Sequence, residues 1–77
     1  MAKYVARPKK IRELMKLKGI KTQKELAVLV GVKEATISRF DSQTRYDIDV
    51  LISVSKALEM PVEDLFEIKE NKEGEAD

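Results

Sequence analysis

Residues 22–39 read TQKELAVLVGVKEATISR, and this stretch decides how the 77-residue chain folds. Thr22 followed three residues later by Glu25 is a capping box, in which each side chain satisfies an unpaired backbone donor of the other at the start of a helix. Gly31 stands where that helix must end in the left-handed conformation, which only glycine adopts without a Cβ penalty. The pattern predicts two short helices joined by a tight glycine turn.

Apolar residues recur at helical spacing on both sides of this glycine. The helix before it has three such positions, Leu26, Leu29 and Val30. The helix after it is predicted over residues 33–40, with apolar positions at Ala35, Ile37 and Phe40. A helix of this length is too short to be stable alone, so we expect packing against its neighbours to hold it.

Three further helices are predicted around this pair. The first begins near Pro8, whose missing N–H costs nothing in a first helical turn, and ends at Gly19. Asp47 caps a fourth helix, whose predicted buried face consists of Ile48, Leu51, Ile52, Val54, Ser55 and Leu58. Residues 62–66 are predicted as a last helical turn or two, docking Leu65 and Phe66 on the core. The expected fold is all-α, a compact domain of five helices without strands.

Three segments are expected along the chain. Residues 1–7 precede the first helix signal and are predicted to be a flexible arm. Residues 8–68 form a single domain, which is near the lower size limit for folding without metal or disulfides. Residues 69–77 are charged and nearly free of apolar side chains, and we expect a disordered acidic tail there.

The chain has no cysteine and no histidine. Disulfides and thiolate metal sites are therefore excluded, and the commonest general base and metal ligand are missing. Without clustered carboxylates either, we expect a protein that is not an enzyme and needs no cofactor. No apolar run approaches the roughly 20 residues that cross a bilayer, and no signal-peptide pattern opens the chain, so a cytoplasmic protein without a membrane partner is expected.

The net charge of +1 hides a strong asymmetry. Residues 1–45 hold 12 Lys and Arg against 4 Asp and Glu, a net +8, whereas residues 46–77 hold 3 against 10, a net −7. Such a split favours one face that attracts a polyanion and another that repels it. Small domains can also have basic and acidic halves by chance, so the charge distribution alone does not establish that the protein binds nucleic acid.

Taken together, the motifs resemble those of the lambda-repressor-like helix-turn-helix family, also described as Cro/CI-type or XRE-type regulators. The resemblance covers residues 11–66 and rests on motifs at the family's spacing, namely Thr22-Gln23, Glu25-Leu26-Ala27, Gly31-Val32, Thr36-Ile37-Ser38-Arg39, Lys56-Ala57-Leu58 and Glu63-Asp64-Leu65-Phe66. It implies a compact five-helix domain with the helix-turn-helix at helices two and three. It also implies binding to operator DNA, usually as a two-fold dimer, to repress or activate transcription.

The resemblance further implies which residues touch DNA. Gln23 matches a glutamine that hydrogen-bonds a phosphate at the start of the second helix, where free N–H groups and the helix dipole favour an anion. The positions that would meet base edges or flanking phosphates are Lys33, Glu34, Ala35, Ser38 and Arg39, with Thr36 beside them.

The chemistry of these side chains agrees with that implication. Arg39 can pair bidentately with guanine or clamp a phosphate. Glu34 can only accept, so it favours a cytosine N4 donor, and Ala35 offers a methyl-sized surface to a thymine methyl. Lys33 suits a phosphate, because its charge is a point on a flexible stem. The alternative for each of these residues is that it is an ordinary exposed helix residue that does not contact DNA.

Two positions depart from the family's pattern. Lys33 stands where a small capping residue, often serine, is usual, so the third helix is expected to begin less firmly. Gln43 stands where glycine is usual, so the following loop is expected to take a different turn. In that loop Thr44 and Arg45 are predicted to contact the DNA backbone, while Tyr46 is predicted to cover the edge of the core.

The leading interpretation is a sequence-specific transcriptional regulator, a repressor, that inserts its third helix into the major groove of double-stranded DNA. It would bind an inverted-repeat operator as a homodimer. The dimer surface would come from exposed apolar residues of helices four and five, or from the Tyr4-Val5 arm pairing as a strand. The alternative is an antitoxin-like or adaptor module that grips a partner protein through helices four and five. No small-molecule ligand is expected.

Overall fold

Within residues 2–71, four α-helices, two short 3₁₀ turns and one pair of β-strands make up the fold. The computed structural model describes residues 2–71. In chain order its elements are strand β1 (Tyr4–Pro8), helices α1 (Ile11–Leu17), α2 (Gln23–Val30) and α3 (Glu34–Ser38), a 3₁₀ turn (Phe40–Ser42), helix α4 (Ile48–Ala57), a second 3₁₀ turn (Val62–Leu65) and strand β2 (Phe66–Glu70).

The prediction of a compact all-α, five-helix domain is wrong. The expected fifth helix is a single 3₁₀ turn, and the chain continues from it directly into β2. Strands β1 and β2 pair antiparallel, from Tyr4 opposite Glu70 to Pro8 opposite Phe66. The physical reason lies in the sequence after Leu65, where apolar and charged residues alternate with the period of a strand rather than of a helix.

The sheet also changes how the chain ends are described. Part of the predicted arm is a strand, since Tyr4–Pro8 lie in β1. This strand pairs with β2 of the same chain, and pairing of the arm across a dimer stays a prediction. Lys69 and Glu70, the start of the predicted tail, belong to β2. The rest of that tail, residues 72–77, lies outside the described residues.

The turn between α2 and α3 has the predicted geometry. The Thr22 hydroxyl accepts the Glu25 N–H at 3.1 Å, which confirms the helix cap. Gly31 lies in the left-handed region with φ 86°. Its N–H donates to the Ala27 carbonyl at 2.8 Å, and the Val32 N–H donates to the same oxygen at 3.0 Å. The six-to-one bond from Val32 is that of a Schellman motif, so the chain leaves α2 in a fixed direction.

One core joins the four helices and both 3₁₀ turns. Its buried side chains are Ile11, Leu14, Met15, Leu26, Ala27, Val30, Ile37, Phe40, Val54, Leu58 and Leu65. Three predicted core positions are instead on the surface, since Ile48 is 71%, Leu29 56% and Ile52 47% exposed. Helical spacing identifies an apolar face, but it does not say how far along that face the neighbouring elements reach.

Side chains beyond this core tie α1 and β2 to the loop after α3. The Asp41 carboxylate accepts the Ile11 N–H at 2.9 Å, so it caps α1 from a distant part of the chain. The Tyr46 hydroxyl donates to the Phe40 carbonyl. The Tyr46 ring packs 5.0 Å from Phe40 and 5.5 Å, edge to face, from Phe66. This confirms that Tyr46 covers the edge of the core.

Candidate nucleic-acid interface

Helix α3 is held to the body by one side and leaves the other side in solvent. Ile37 and, just after the helix, Phe40 are 0% and 1% exposed. Glu34, Ala35 and Ser38 are exposed on the opposite side. Burial of Ile37 and Phe40 fixes the rotation of this five-residue helix, because so short a helix has little stability of its own.

The structure brings most of the predicted site residues to this open side. Those that are exposed are Lys33, Glu34, Ala35, Ser38 and Arg39, whereas Thr36 is half-buried. Donors, acceptors and a methyl group therefore stand side by side on one short helix. This is the mixture that distinguishes base pairs in the major groove.

The start of α3 lacks a side-chain cap. Lys33 occupies the N-cap position with an extended backbone, φ −72° and ψ 151°, and its side chain makes no capping hydrogen bond. The Thr36 N–H is satisfied by the Lys33 carbonyl at 3.0 Å. The start of α3 is therefore held by a backbone hydrogen bond, without a side-chain cap.

Gln23 lies at the other end of the predicted interface. It is the first residue of α2 and is half-buried. An open cleft of about 560 Å³ runs beside it, lined by Lys10, Ile11, Arg12, Glu13, Gln23, Ser38 and Asp41. The cleft thus joins the start of α1, the start of α2 and the end of α3, and it brings Gln23 and Ser38 together as predicted site residues.

Lys10 and Arg12 are functional candidates that the sequence did not single out. Both are exposed and both line the cleft beside Gln23. Their position follows from Asp41, whose bond to the Ile11 N–H holds the start of α1 against the loop after α3. No local pattern reveals this contact. The one signal available is a run of basic residues at the start of a helix.

The loop after α3 separates the last two predicted residues from the cleft. Thr44 and Arg45 are both exposed. Thr44 lines a different cavity, between this loop and β1, while Arg45 lines neither. Gln43 is extended with φ −92°, so the turn here needs no glycine. The Ser42 hydroxyl donates to the Arg39 carbonyl at 3.1 Å, which secures the first part of the loop.

Neither a metal-binding cluster nor a membrane-spanning helix occurs within residues 2–71. No group of three or more His, Cys, Asp and Glu side chains in that range is placed to hold a metal ion. Among the helices of the same range, none is long and apolar enough to cross a membrane.

Helix α3 is buried along its inner face, follows a glycine turn after α2 and lies beside a cleft that Lys10 and Arg12 line. Two helices joined in this way, with the outer face of the second one exposed, define a helix-turn-helix DNA-binding protein. The family model described as "Cro/C1-type HTH DNA-binding domain" matches residues 10–71, and the chain belongs to that family. This match confirms the resemblance to Cro/CI-type regulators. Comparisons with curated proteins and with solved structures gave no significant match.

Proposed function

We propose that this protein is a sequence-specific transcriptional regulator that reads an inverted-repeat operator as a homodimer. Helix α3 would enter the major groove and the start of α2 would dock on a flanking phosphate. The observation that carries the proposal is the orientation of α3, whose Ile37 is fully buried while Glu34, Ala35 and Ser38 are exposed. The half-sites would lie about one helical turn of DNA apart.

Some of the proposed contacts would position the protein on the DNA backbone, and others would specify the base sequence. Gln23, with Lys10 and Arg12 around the same cleft, would hold phosphates and fix the docking register. Arg39 and Glu34 would discriminate between bases, Arg39 by pairing with guanine and Glu34 by penalising bases without a donor.

The remaining predicted residues would have supporting roles. Ala35 would contact a thymine methyl, and Ser38 would bond a base or phosphate beside the cleft. Lys33 and Arg45 would add phosphate contacts, and so would the hydroxyls of Thr36 and Thr44. The net +8 of residues 1–45 supports a large phosphate contribution to affinity.

Selection from a random-sequence duplex pool at two salt concentrations tests this proposal. We expect one sequence class with two-fold symmetry to be enriched, and affinity to fall steeply as salt rises. The absence of enrichment, or affinity indifferent to salt, would count against a DNA-reading function.

Substitution of Arg39 by alanine separates base reading from phosphate binding. Arg39→Ala should cost roughly 1–3 kcal/mol on the selected site and relax specificity at one base pair. Lys56→Ala is the matched control, because it removes an exposed basic side chain from α4 instead. An equal loss of affinity on every sequence would assign Arg39 to a phosphate.

We propose repression as the sign of regulation, since an occupied operator is enough to block transcription. Transcription from a template carrying the selected site should fall as the protein is added. A rise would identify an activator instead.

A second candidate, an adaptor that grips a partner protein, has one observation in its favour. Ile48 and Ile52 are both exposed and, four residues apart, lie on the same side of α4. If this candidate is correct, the wild-type chain will enrich no DNA sequence, and Ile48→Ser with Ile52→Ser will abolish binding of the partner protein while the chain stays folded.

A further inference from the structure

Within the described residues 2–71, strand β2 pairs with β1 along one edge and has no neighbouring strand along the other. The sheet has two strands, so β1 covers a single edge of β2. The side chains of both strands are largely exposed, with Tyr4 of β1 at 56%, Val5 of β1 at 41% and Ile68 of β2 at 46%. A two-stranded ribbon is marginal in water, and exposed strand edges are templates for pairing with another chain.

Two backbone bonds show which groups of β2 face this open edge. The Lys9 N–H donates to the Leu65 carbonyl at 3.0 Å, and the Asn71 N–H donates to the Lys3 carbonyl at 2.6 Å. These bonds continue the strand register by one residue at each end. In an antiparallel ladder, opposite residues alternate between hydrogen-bonded and non-bonded pairs.

Counting inward from those bonds, Val5 with Lys69 and Arg7 with Glu67 are the hydrogen-bonded pairs. The N–H and C=O groups of Ile68, which lies between Glu67 and Lys69, therefore point away from β1 toward the open edge.

We propose that β2 pairs antiparallel with β2 of a second copy of this chain, with Ile68 on the two-fold axis. The two ribbons would then form one continuous four-stranded sheet. This deepens the proposed function and rests on it, because an inverted-repeat operator requires two copies of α3.

The charges of β2 are self-complementary in this register. Glu67 of one protomer faces the partner's Lys69, and the symmetry repeats the pair. Both pairs fall at non-bonded positions, where side chains approach most closely. On the opposite face the two Ile68 side chains meet, which covers an apolar residue that is 46% exposed in the single chain.

The backbone groups also match. Each Ile68 N–H donates to the carbonyl of the partner's Ile68, and each Glu70 N–H donates to the carbonyl of the partner's Phe66. The Phe66 N–H is not needed, since it already donates to the Glu63 carbonyl inside the second 3₁₀ turn.

The other edge of the sheet suits self-pairing less well. Pro8 has no N–H, and by the same alternation it falls at a position whose backbone groups face outward. The β1 side of the sheet also borders the loop after α3, across a cavity lined by Val5–Pro8 and residues 41–44.

Charge reversal at β2, measured without DNA, tests the interface. Lys69→Glu places two acidic pairs across the dimer, and Glu67→Lys places two basic pairs. Sedimentation across a concentration series should show self-association weakened about tenfold or more in each variant. Lys21→Glu, a matched reversal at an exposed position outside β2, should leave it unchanged.

Mixing the two variants provides the decisive readout. Lys69→Glu and Glu67→Lys chains are complementary to each other, so the mixture should recover the wild-type association as a heterodimer. Damage to the monomer cannot produce this recovery. For each variant alone, a circular dichroism spectrum with the wild-type helical signal and a cooperative unfolding transition establishes that the chain remains folded.

Three results would overturn the interface. These are a wild-type protein that is monomeric throughout, a mixture that does not recover, or a dimer that is lost in Ile48→Ser with Ile52→Ser but kept in the β2 variants. If the wild type still enriches one DNA sequence, the DNA-reading function stands and only the β2 interface fails.

Discussion

Tyr46 connects three parts of the molecule through one side chain. Its hydroxyl donates to the Phe40 carbonyl, and its ring packs against Phe40 and Phe66. Burial, followed by the neighbouring Asp41 carboxylate, raises the pKa of Tyr46 above its ordinary value. Because the hydrogen bond is lost without the hydroxyl, Tyr46→Phe should lower the free energy of unfolding by about 0.5–1.5 kcal/mol.

The raised pKa of Tyr46 also predicts a dependence on pH. The folded chain holds this proton more tightly than the unfolded chain, so the contribution is complete below pH about 10 and is lost as the pH rises further. Urea unfolding on both sides of that pH should show a smaller drop in stability for Tyr46→Phe than for wild type. Tyr4→Phe, at an exposed ring, should keep the wild-type drop, and an equal drop in all three proteins would contradict the assignment.

Glu59 stands in a conformation that usually belongs to glycine. Its φ is 53°, and it follows α4 as Gly19 follows α1 and Gly31 follows α2. The left-handed region costs a residue with a Cβ about 1–2 kcal/mol, part of which the greater freedom of an unfolded glycine offsets. Glu59→Gly should therefore stabilise the protein by about 0.5–1 kcal/mol in urea unfolding. Glu59→Ala keeps the strain, so an equal gain there would point to the charge instead.

Helix α3 combines a functional face with an uncapped start. Lys33→Ser supplies a hydroxyl to the N-cap position and should stabilise the protein by about 0.5–1 kcal/mol relative to Lys33→Ala. Both variants remove the same charge, so the difference between them in urea unfolding isolates the cap. If Lys33 contacts a phosphate, both should weaken DNA binding alike and reduce its salt dependence. Equal stability of the two variants would mean that the helix start is satisfied in another way.

The helices and strands differ in how well the sequence alone predicts their positions and their packing partners. The α2–turn–α3 unit was predictable because its signals are local, from the Thr22 cap to Gly31. The outward face of α3 followed as well, since Ile37 and Phe40 set its rotation. Strand β2 does carry a period-two pattern, but β1, its pairing partner, lies about 60 residues away, and no local rule connects the two.

The cleft beside Gln23 could not be predicted from the sequence, because it also depends on a contact between distant residues. Lys10 and Arg12 join it because Asp41 caps α1 across the fold, a contact between residues 30 positions apart. Periodicity describes one element at a time, so a site assembled from three helices appears only when they are packed together. Its position predicts that phosphate contacts extend beyond α3.

Across the whole molecule, the sheet joins the first described residues to the last. Tyr4 and Glu70 are opposite each other, and the alternation of the ladder makes them a non-bonded pair. Opposite residues of such a pair have Cα atoms about 4.5 Å apart, within the range that a disulfide spans. The chain contains no cysteine, so a pair introduced here has no competitor.

The double variant Tyr4→Cys with Glu70→Cys should therefore form an intrachain disulfide on oxidation. Because this bond closes nearly the whole described chain into a loop, it should raise the free energy of unfolding by about 2–4 kcal/mol over the reduced form. Urea unfolding with and without reductant measures the gain, and Tyr4→Cys alone should show no difference between the two conditions. Operator binding should persist in the oxidised protein, because the bond lies in the sheet and leaves the outward face of α3 free. Failure to form the bond, or an oxidised chain less stable than the reduced one, would mean that β1 and β2 do not pair in this register.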